Sequence, residues 1–347
     1  MNKHFISMFS RKPDIIASGD YFYTVPWIEA EKKRYGTWTY SEKELEIREK
    51  YSKRQFLNNW KKRTFEGAYS KENDYIWLEN LKEDNRDSRL FSYFHNIAFS
   101  GTPIVDIASS ENMGLVPYLL KLNPDLPCLV TDIDSYAMHR LRDRINEFLP
   151  ENDISIASFD ILDIPMADNT VPCITGFNPI SSCMDDHNWV AEEESNPNIK
   201  TFRDFLAVGE QKALNEIYRV LQPDGIFVLI DTDELELKYD QNTLNKFLKT
   251  NNFLYGLHTE SILKRLAQIE NERKNSTSLK EKIRAAGFKI IYWKQSAIEL
   301  PPSYVAEYIN GEPVDFVMNE RDKEIMKLYA PTYVYVLKKN ENHMMFC

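Results

Sequence analysis

The chain has 347 residues, of which 43% are hydrophobic and 28% are charged. This composition is typical of a folded globular protein rather than a disordered one. Its formal net charge of −10 disfavours nucleic acid as a partner, because binding to phosphates requires a positive surface. No part of the sequence approaches the ~18 consecutive apolar residues of a membrane span, and the first residues lack the apolar run of a secretory signal. The four cysteines form no close pair of the kind that binds zinc, so we expect a soluble, cytoplasmic protein.

Residues 1–95 are predicted to form a mostly helical cap, because they contain no clear run of buried strands. The segment 41–65 opens with a capping-box signature, and further helices are predicted over 74–81 and 88–99. Within 41–65, lysines and arginines alternate with aromatic residues, a pattern found in proteins that bind single-stranded nucleic acid. The same pattern is commoner on a solvated helix that buries an aromatic stripe, and we prefer that interpretation.

From residue 96 onward, short apolar runs alternate with stretches of helical spacing. This alternation predicts βαβ units and an α/β domain whose parallel sheet is covered on both faces. The predicted strands are 102–109, 128–134, 154–160, 171–177, 225–231, 289–293 and 333–339. The predicted helices are 115–122, 137–149, 213–221 and 278–288. The sequence therefore predicts a doubly wound sheet of seven strands in a domain that spans 96–347.

Three longer stretches interrupt this alternation, near 181–205, 234–278 and 299–331. Long excursions from a compact domain are often binding loops or lids. We therefore expect them to take part in ligand binding.

The residues that follow each parallel strand are candidates for ligand binding, because open α/β sheets bind ligands at the carboxyl ends of their strands. The first strand ends at Asp106, and Ala108, Ser110 and Gly114 follow it. A dinucleotide-binding turn would contain more glycines at this place. The turn therefore argues against a bound pyrophosphate, and taken alone it is also compatible with an ordinary turn from strand to helix.

Two more acids follow the next two strands. Asp132, with Ile133 beside it, ends the second strand, where a carboxylate can accept hydrogen bonds from the two hydroxyls of a ribose. Asp160 ends the third strand between Phe159 and Ile161, where it could accept from an adenine amino group while one of its neighbours contacts the ring. Alternatively, both acids could have a structural role alone, at the start of the next helix or loop, since acids suit helix N-termini.

In this order, the pieces resemble the motifs of the class I S-adenosylmethionine-dependent methyltransferases. The matching segments are IVDIASSENMG, LVTDIDSYAM, SFDILDIPMADNTV, ALNEIYRVLQPDGIFVLID and LKEKIRAAGFKIIYW. They cover about residues 100–295, and the last strand completes the pattern. The sequence departs from the family where Ala108 and Ser110 replace usual glycines, and where Pro223-Asp224-Gly225 replaces the usual Pro-Gly-Gly turn. The resemblance implies a Rossmann-like, doubly wound, seven-stranded sheet that is mainly parallel with an antiparallel last strand.

The resemblance also implies S-adenosylmethionine as the cofactor. It places the methionine part near the first strand, the ribose at Asp132 with the adenine on Ile133, and the adenine amino group at Asp160. The implied cofactor-binding residues are Asp106, Ala108, Ser110, Gly114, Asp132, Ile133, Phe159, Asp160, Ile161 and Phe177. Asp106 would orient the turn or contact the methionine amino group, and Gly176, Phe177 and Asn178 would face the sulfonium.

The catalytic candidates are Asn178, Asp185 and His187, which follow the fourth strand. His187 could act as a base for a hydroxyl acceptor, although the segment around it could also be a solvated acidic loop. We expect no metal, because side chains at 185–187 cannot surround one ion on regular structure.

We expect the acceptor to be a small molecule, a natural-product intermediate or a peptide-like compound that is methylated on oxygen or nitrogen. Three alternatives remain open: a non-catalytic binding module with the same fold, an RNA methyltransferase, and a nicotinamide-dependent oxidoreductase. The missing glycine fingerprint counts against the oxidoreductase. A homodimer is a further expectation, which no motif specifies.

Overall fold

The computed structural model describes the sheet, the helices that cover it and parts of the N-terminal region. The described residues are 3–10, 21–23, 88–109, 113–133, 135–149, 151–181, 183, 202–233, 277–295, 308–309, 312–313 and 332–340. The α-helices in these ranges are α1 Lys3–Ile6, α2 Ser88–Phe99, α3 Val116–Leu122, α4 Ser135–Phe148, α5 Phe202–Val220 and α6 Leu279–Ala285. The strands in the same ranges are β1 Tyr21–Tyr23, β2 Ile104–Ile107, β3 Cys128–Asp132, β4 Ile154–Ser158, β5 Val171–Phe177, β6 Leu221–Thr232, β7 Phe288–Gln295, β8 Tyr308–Ile309, β9 Glu312–Pro313 and β10 Thr332–Lys339.

Eight of these strands form one sheet in the order β1-β4-β3-β2-β5-β6-β10-β7. β10 is antiparallel to both of its neighbours, β6 and β7, and the other neighbouring strands are parallel. Without β1, the order counted along the chain is 3-2-1-4-5-7-6. The prediction of a doubly wound, seven-stranded, mainly parallel sheet with an antiparallel last strand is confirmed.

The N-terminal region was predicted to be mostly helical, without a buried strand, and it contributes one strand to the sheet. β1 lies parallel to β4 at the edge of the sheet, with Tyr21 opposite Ile156 and Tyr23 opposite Ser158. The helix predicted over 88–99 is confirmed as α2, whereas the helices predicted over 41–65 and 74–81 lie outside the described residues. The N-terminal region thus adds an eighth strand to the sheet as well as helices.

The ends of two predicted elements depend on backbone geometry that the apolar pattern does not show. β6 begins at Leu221, before the Pro223-Asp224-Gly225 turn, and its pairing with β5 shifts register across that turn. Asp224 has a φ of 62°, which suits the third position of a type II turn with proline at the second. α5 begins at Phe202, inside the range 181–205 that the sequence assigned to an insertion.

The sheet separates two apolar layers. Phe227 and Leu229 of β6 point into the layer that α1, α5 and α6 cover, whereas Val228 and Ile230 point into the layer that α2, α3 and α4 cover. Because side chains alternate along a strand, Asp106 lies on the α2–α4 side and Asp231 on the α5–α6 side. No helix among the described residues is long and apolar enough to cross a membrane.

Candidate active site

The strand order reverses between β2 and β5, and this reversal defines the switch point of the sheet. β3 and β4 follow β2 on one side, and β6 follows β5 on the other. Asp106 of β2 and Thr175 of β5 are register partners across the switch point, and the Thr175 hydroxyl hydrogen-bonds to the Asp106 carboxylate. A ligand of an open α/β sheet binds above this point, at the carboxyl ends of the strands.

Asp106 is fully buried beneath the turn that joins β2 to α3. Its Oδ2 accepts a hydrogen bond of 2.6 Å from the Ser109 hydroxyl, and the backbone N–H of Leu115 also donates to the carboxylate. Burial raises the pKa of Asp106 to about 7, although these hydrogen bonds and that from Thr175 act to lower it. Of its two expected roles, Asp106 is placed for orienting the turn, because its carboxylate is enclosed by the protein.

In the turn after β2, three described residues have the positive φ that glycine usually provides, although only one of them is a glycine. Ala108 and Met113 have φ values of 52° and 59°, and Gly114 has a φ of 47°. A Cβ atom at Gly114 would lie 2.4 Å from Asp106 Oδ2, so this position requires glycine because the buried carboxylate approaches the backbone closely. Ser110 lies outside the described residues.

Asp132 and Asp160 both lie where the carboxyl ends of the parallel strands meet, which we call the carboxyl edge of the sheet. Asp132 is the register partner of Ser158, and the backbone N–H of Phe159 donates to the Asp132 carbonyl over 3.1 Å. Asp160 follows one residue later, and its Oδ1 accepts from the Leu162 N–H at 2.8 Å. The two carboxylates that the sequence assigned to the ribose and the adenine therefore follow adjacent strands, β3 and β4, on the β2 side of the switch point.

The apolar residues beside these acids differ in burial. Phe159 is 4% exposed and belongs to the core, while Ile133 and Ile161 are partly buried and pack against that core. Between Phe159 and Ile161, Ile161 has more surface left for a ligand.

The turn after β5 contains Asn178, the catalytic candidate that lies within the described residues. Phe177 is partly buried at the end of the strand, and Asn178 follows it with a φ of 55°. The Asn178 N–H donates to the Ile230 carbonyl at 2.7 Å, and its side-chain Oδ1 is buried without a hydrogen-bond partner among the described residues. Asp185 and His187 lie outside the described residues, so their catalytic roles stay predictions.

Asp231, at the end of β6, is a functional candidate that the sequence reasoning missed. Its carboxylate is fully buried and accepts from the backbone N–H groups of Ile180, Ser181 and Thr232. Burial raises its pKa to about 7, against the lowering effect of these hydrogen bonds. The sequence signal was available, because Asp231 ends a buried strand just as Asp106 and Asp132 do.

Within the described ranges, no three histidine, cysteine, aspartate or glutamate side chains are grouped closely enough to hold a metal ion. The cluster 185–187 lies outside those ranges.

No protein-family model and no curated protein matches the sequence. Among solved structures, the chain is similar to a protein from Galdieria sulphuraria described as a sarcosine dimethylglycine methyltransferase, at 14% identity over 84% of this chain and 98% of that chain, with a TM-score of 0.46. It is also similar to geranyl diphosphate methyltransferase in complex with S-adenosylmethionine, at 10% identity over 79% and 92% of the two chains, with a TM-score of 0.39. A third similar structure is the 4+2 cyclase SpnF, at 13% identity over 72% and 81%, also with a TM-score of 0.39.

The fold itself is defined by the topology of the sheet. Seven strands in the order 3-2-1-4-5-7-6, with antiparallel β10 between β6 and β7, form the Rossmann-like methyltransferase fold. The resemblance of the sequence to the class I S-adenosylmethionine-dependent methyltransferases is thereby confirmed at the level of the fold.

Proposed function

We propose that the chain binds S-adenosylmethionine at the carboxyl edge of its sheet and catalyses transfer of its methyl group to a small organic acceptor. The observation that carries this proposal is the position of Asp132 and Asp160 at the ends of adjacent strands β3 and β4, beside the switch point. Carboxylates that follow adjacent strands could accept from the hydroxyls of a ribose and from the amino group of an adenine. The turn after β2 would hold the methionine part.

The left-handed residue at the start of this turn supports a working cofactor site. A non-glycine residue with positive φ is uncommon, and holding one costs about 1–2 kcal/mol. Ala108 nevertheless keeps a φ of 52°. Ala108 thus keeps a positive φ at a position where glycine is usual in the family. This favours a binding role for the turn over that of an ordinary connection.

The bound cofactor would supply an activated methyl group on a sulfonium. The main tasks of the protein are then to align the acceptor with that methyl group and to exclude water. A general base is needed only where the acceptor must lose a proton. Asn178, which follows Phe177, would offer its carboxamide oxygen to a hydrogen-bond donor or a cationic group of the ligand. Asp185 and His187 are the candidates for accepting a proton.

The topology favours a small acceptor enclosed by the protein. Four long stretches of sequence leave the sheet at its carboxyl edge, after Tyr23, Phe177, Asp233 and Gln295. The acidic chain, with its net charge of −10, offers poor electrostatics for RNA. We therefore prefer a small-molecule, natural-product or peptide-like acceptor to RNA.

The cellular setting belongs to the same proposal. Cys128 and Cys173 are buried free thiols, as is usual in a reducing compartment, and this supports a cytoplasmic location. A homodimer stays a prediction, which light scattering of the purified chain would check.

Isothermal titration with S-adenosylmethionine and S-adenosylhomocysteine tests the cofactor assignment. We expect the wild type to bind both, and Asp132→Asn to weaken both about tenfold or more, because a hydrogen bond to a charged group contributes about 1.5–3 kcal/mol. Asp160→Asn should act in the same direction. Asp163→Asn is the matched control, because Asp163 is exposed and lies only three residues further along the chain. A wild type that binds neither compound at millimolar concentration would contradict the proposal.

A second assay separates an enzyme from a binding module. Wild type and Asp132→Asn are incubated with methyl-labelled S-adenosylmethionine and, separately, with small-molecule extract or total RNA. We expect a labelled small molecule other than S-adenosylmethionine to form with the wild type and not with Asp132→Asn. Cofactor binding without transfer to either fraction would favour the non-catalytic module, and label in RNA would favour the RNA methyltransferase.

A further inference from the structure

The buried carboxylate of Asp231 holds the turn that follows β5. Its Oδ2 accepts from the Ile180 N–H at 2.7 Å and from the Ser181 N–H at 3.2 Å, while its Oδ1 accepts from the Thr232 N–H at 2.8 Å. The Ser181 hydroxyl adds a further hydrogen bond. Backbone donors cannot rotate away, so only an acceptor with two oxygens at this place satisfies all of them.

The same turn begins with Asn178, whose position is fixed by other contacts as well. The Asn178 N–H donates to the Ile230 carbonyl, one residue before Asp231 in β6. Gly176 allows Pro179 to pack closely, because a Cβ atom there would lie 2.8 Å from Pro179 Cγ. Asn178 itself has a left-handed backbone with a φ of 55°, so its side-chain direction depends on the turn being held in place.

The carboxamide of Asn178 has an unfilled acceptor. Asn178 is 8% exposed, and within the described part of the chain its Oδ1 is buried without a hydrogen-bond partner. Buried polar atoms in native proteins nearly always have a partner. A donor or cationic group of a ligand would supply one, and in the proposed function the sulfonium lies at this end of β5.

We infer that Asp231 is a positioning residue, whose carboxylate fixes the turn 178–181 so that the Asn178 carboxamide oxygen faces the positive charge of the cofactor. This inference rests on the proposed function, and it assigns the turn a specific task. Asn178 would favour the cationic S-adenosylmethionine over the neutral product S-adenosylhomocysteine. Release of product after transfer would be favoured by the same discrimination.

The competing explanation is that Asp231 only stabilises the fold, and Asp233 provides a matched comparison. Asp233 lies two residues further along the chain, is 4% exposed, and accepts from the Leu279 N–H at 3.0 Å. Its carboxylate therefore caps the start of α6, whereas that of Asp231 accepts from the turn 178–181. A general loss of stability should follow replacement of either aspartate.

The experiment measures the ratio of the dissociation constants of S-adenosylhomocysteine and S-adenosylmethionine by calorimetry on the full chain. The variants are Asp231→Asn, Asn178→Ala, the double variant of these two, Asp233→Asn and Ser181→Ala. Thermal unfolding is followed for each, and Ser181→Ala provides a milder perturbation of the same turn should Asp231→Asn fail to fold.

We expect the preference for the cation to fall about fivefold in Asn178→Ala and in Asp231→Asn, the effect of one hydrogen bond or charge–dipole contact. It should fall about twofold in Ser181→Ala and stay within about twofold of the wild type in Asp233→Asn. The double variant should show no further loss beyond Asn178→Ala, because residues that act through one another are not additive.

Three results would overturn the positioning role. In the first, Asp231→Asn or Ser181→Ala weakens both compounds equally, so that the ratio does not change. In the second, the double variant loses more discrimination than Asn178→Ala, which would mean that Asp231 acts directly through its charge. Binding of neither compound by the wild type would overturn the proposed function and this inference together, whereas the first two results leave the proposed function intact.

Discussion

The carboxyl and amino edges of the sheet are built for different purposes. At the amino edge the connections are short: residues 100–103 join α2 to β2, and β6 follows α5 directly. At the carboxyl edge, by contrast, long stretches of sequence follow β1, β5, β6 and β7. The amino edge thus joins helices to strands through short connections. The carboxyl edge provides the long segments and the acids from which a site can be made.

The buried charges show the same division. At the amino edge, Lys339 is 9% exposed, and its Nζ donates to the Tyr218 and Leu221 carbonyls at 2.6 and 2.7 Å. This cation suits the negative end of helix α5. At the carboxyl edge, the fully buried charged groups among the described residues are the acids Asp106 and Asp231, and they hold turns. Charge thus stabilises a helix end at one edge and the shape of two turns at the other.

Replacing one glycine at each edge should give the largest contrast. Gly114→Ala places a Cβ atom 2.4 Å from Asp106 Oδ2 in a backbone of φ 47°, so we expect it to destabilise the chain by about 3–5 kcal/mol. Gly101→Ala meets no atom within 4 Å and has only its φ of 66° against it, so about 1–2 kcal/mol is expected. Urea unfolding measures both, and equal losses would show that the contact with Asp106 does not decide the effect.

The amino edge can be weakened without affecting cofactor binding. Lys339→Met leaves the Tyr218 and Leu221 carbonyls without their donor, so we expect a loss of about 2–3 kcal/mol. Lys338→Met is the matched neighbour, because Lys338 is 40% exposed and its ion pair with Asp224 lies at the surface; it should lose less than about 1 kcal/mol. Affinity for S-adenosylhomocysteine should be unchanged in both. A large loss of affinity in Lys339→Met would mean that the two edges are coupled.

The buried acid at the carboxyl edge should give the stability of the chain a distinct pH dependence. The pKa of Asp106 is about 7 in the folded chain against about 3.9 in an unfolded one. The folded state therefore binds the proton more tightly, so this contribution is full below about pH 4 and is lost as the pH rises to about 7.

Asp106→Asn removes this dependence and should fold, because the Ser109 and Thr175 hydroxyls can rotate to suit an amide. The stability of the wild type relative to this variant should fall by up to about 1.4 kcal/mol per pH unit between about pH 4 and 7. Urea unfolding at unit steps of pH measures the difference. A difference that does not change with pH would mean that Asp106 is ionised throughout.

The sequence predicted the parts of the fold that depend on apolar pattern and residue type. Buried parallel strands are continuous apolar runs, and acids at their ends mark the carboxyl edge, so Asp132 and Asp160 could be placed together. β1 was missed because Tyr21–Tyr23 is too short to show a period. Asp231 could have been singled out as an acid at the end of a buried strand, but its role depends on where the backbone N–H groups of Ile180 and Ser181 point, which residue types do not reveal.

The turn after β2 also contains a backbone conformation that residue types do not predict. Its shortage of glycines argued against a bound pyrophosphate, and glycine is also the usual signal of a positive φ. Ala108 takes that conformation with a φ of 52° nonetheless. No pattern of residue types predicts an alanine with a positive φ. The backbone conformation of Ala108 could therefore be found only from the structure.

Ala108→Gly should therefore stabilise the chain, by about 1 kcal/mol, because glycine adopts positive φ without the steric cost that alanine carries. Ala207→Gly, in the middle of helix α5, is the control of opposite sign, and it should destabilise by about 1 kcal/mol. Urea unfolding distinguishes the two signs. If the family's glycine serves only backbone shape, Ala108→Gly should also bind S-adenosylhomocysteine at least as tightly as the wild type. Weaker binding would mean that the alanine methyl group contacts the ligand, and the turn would then contribute a side chain to the site as well as its backbone.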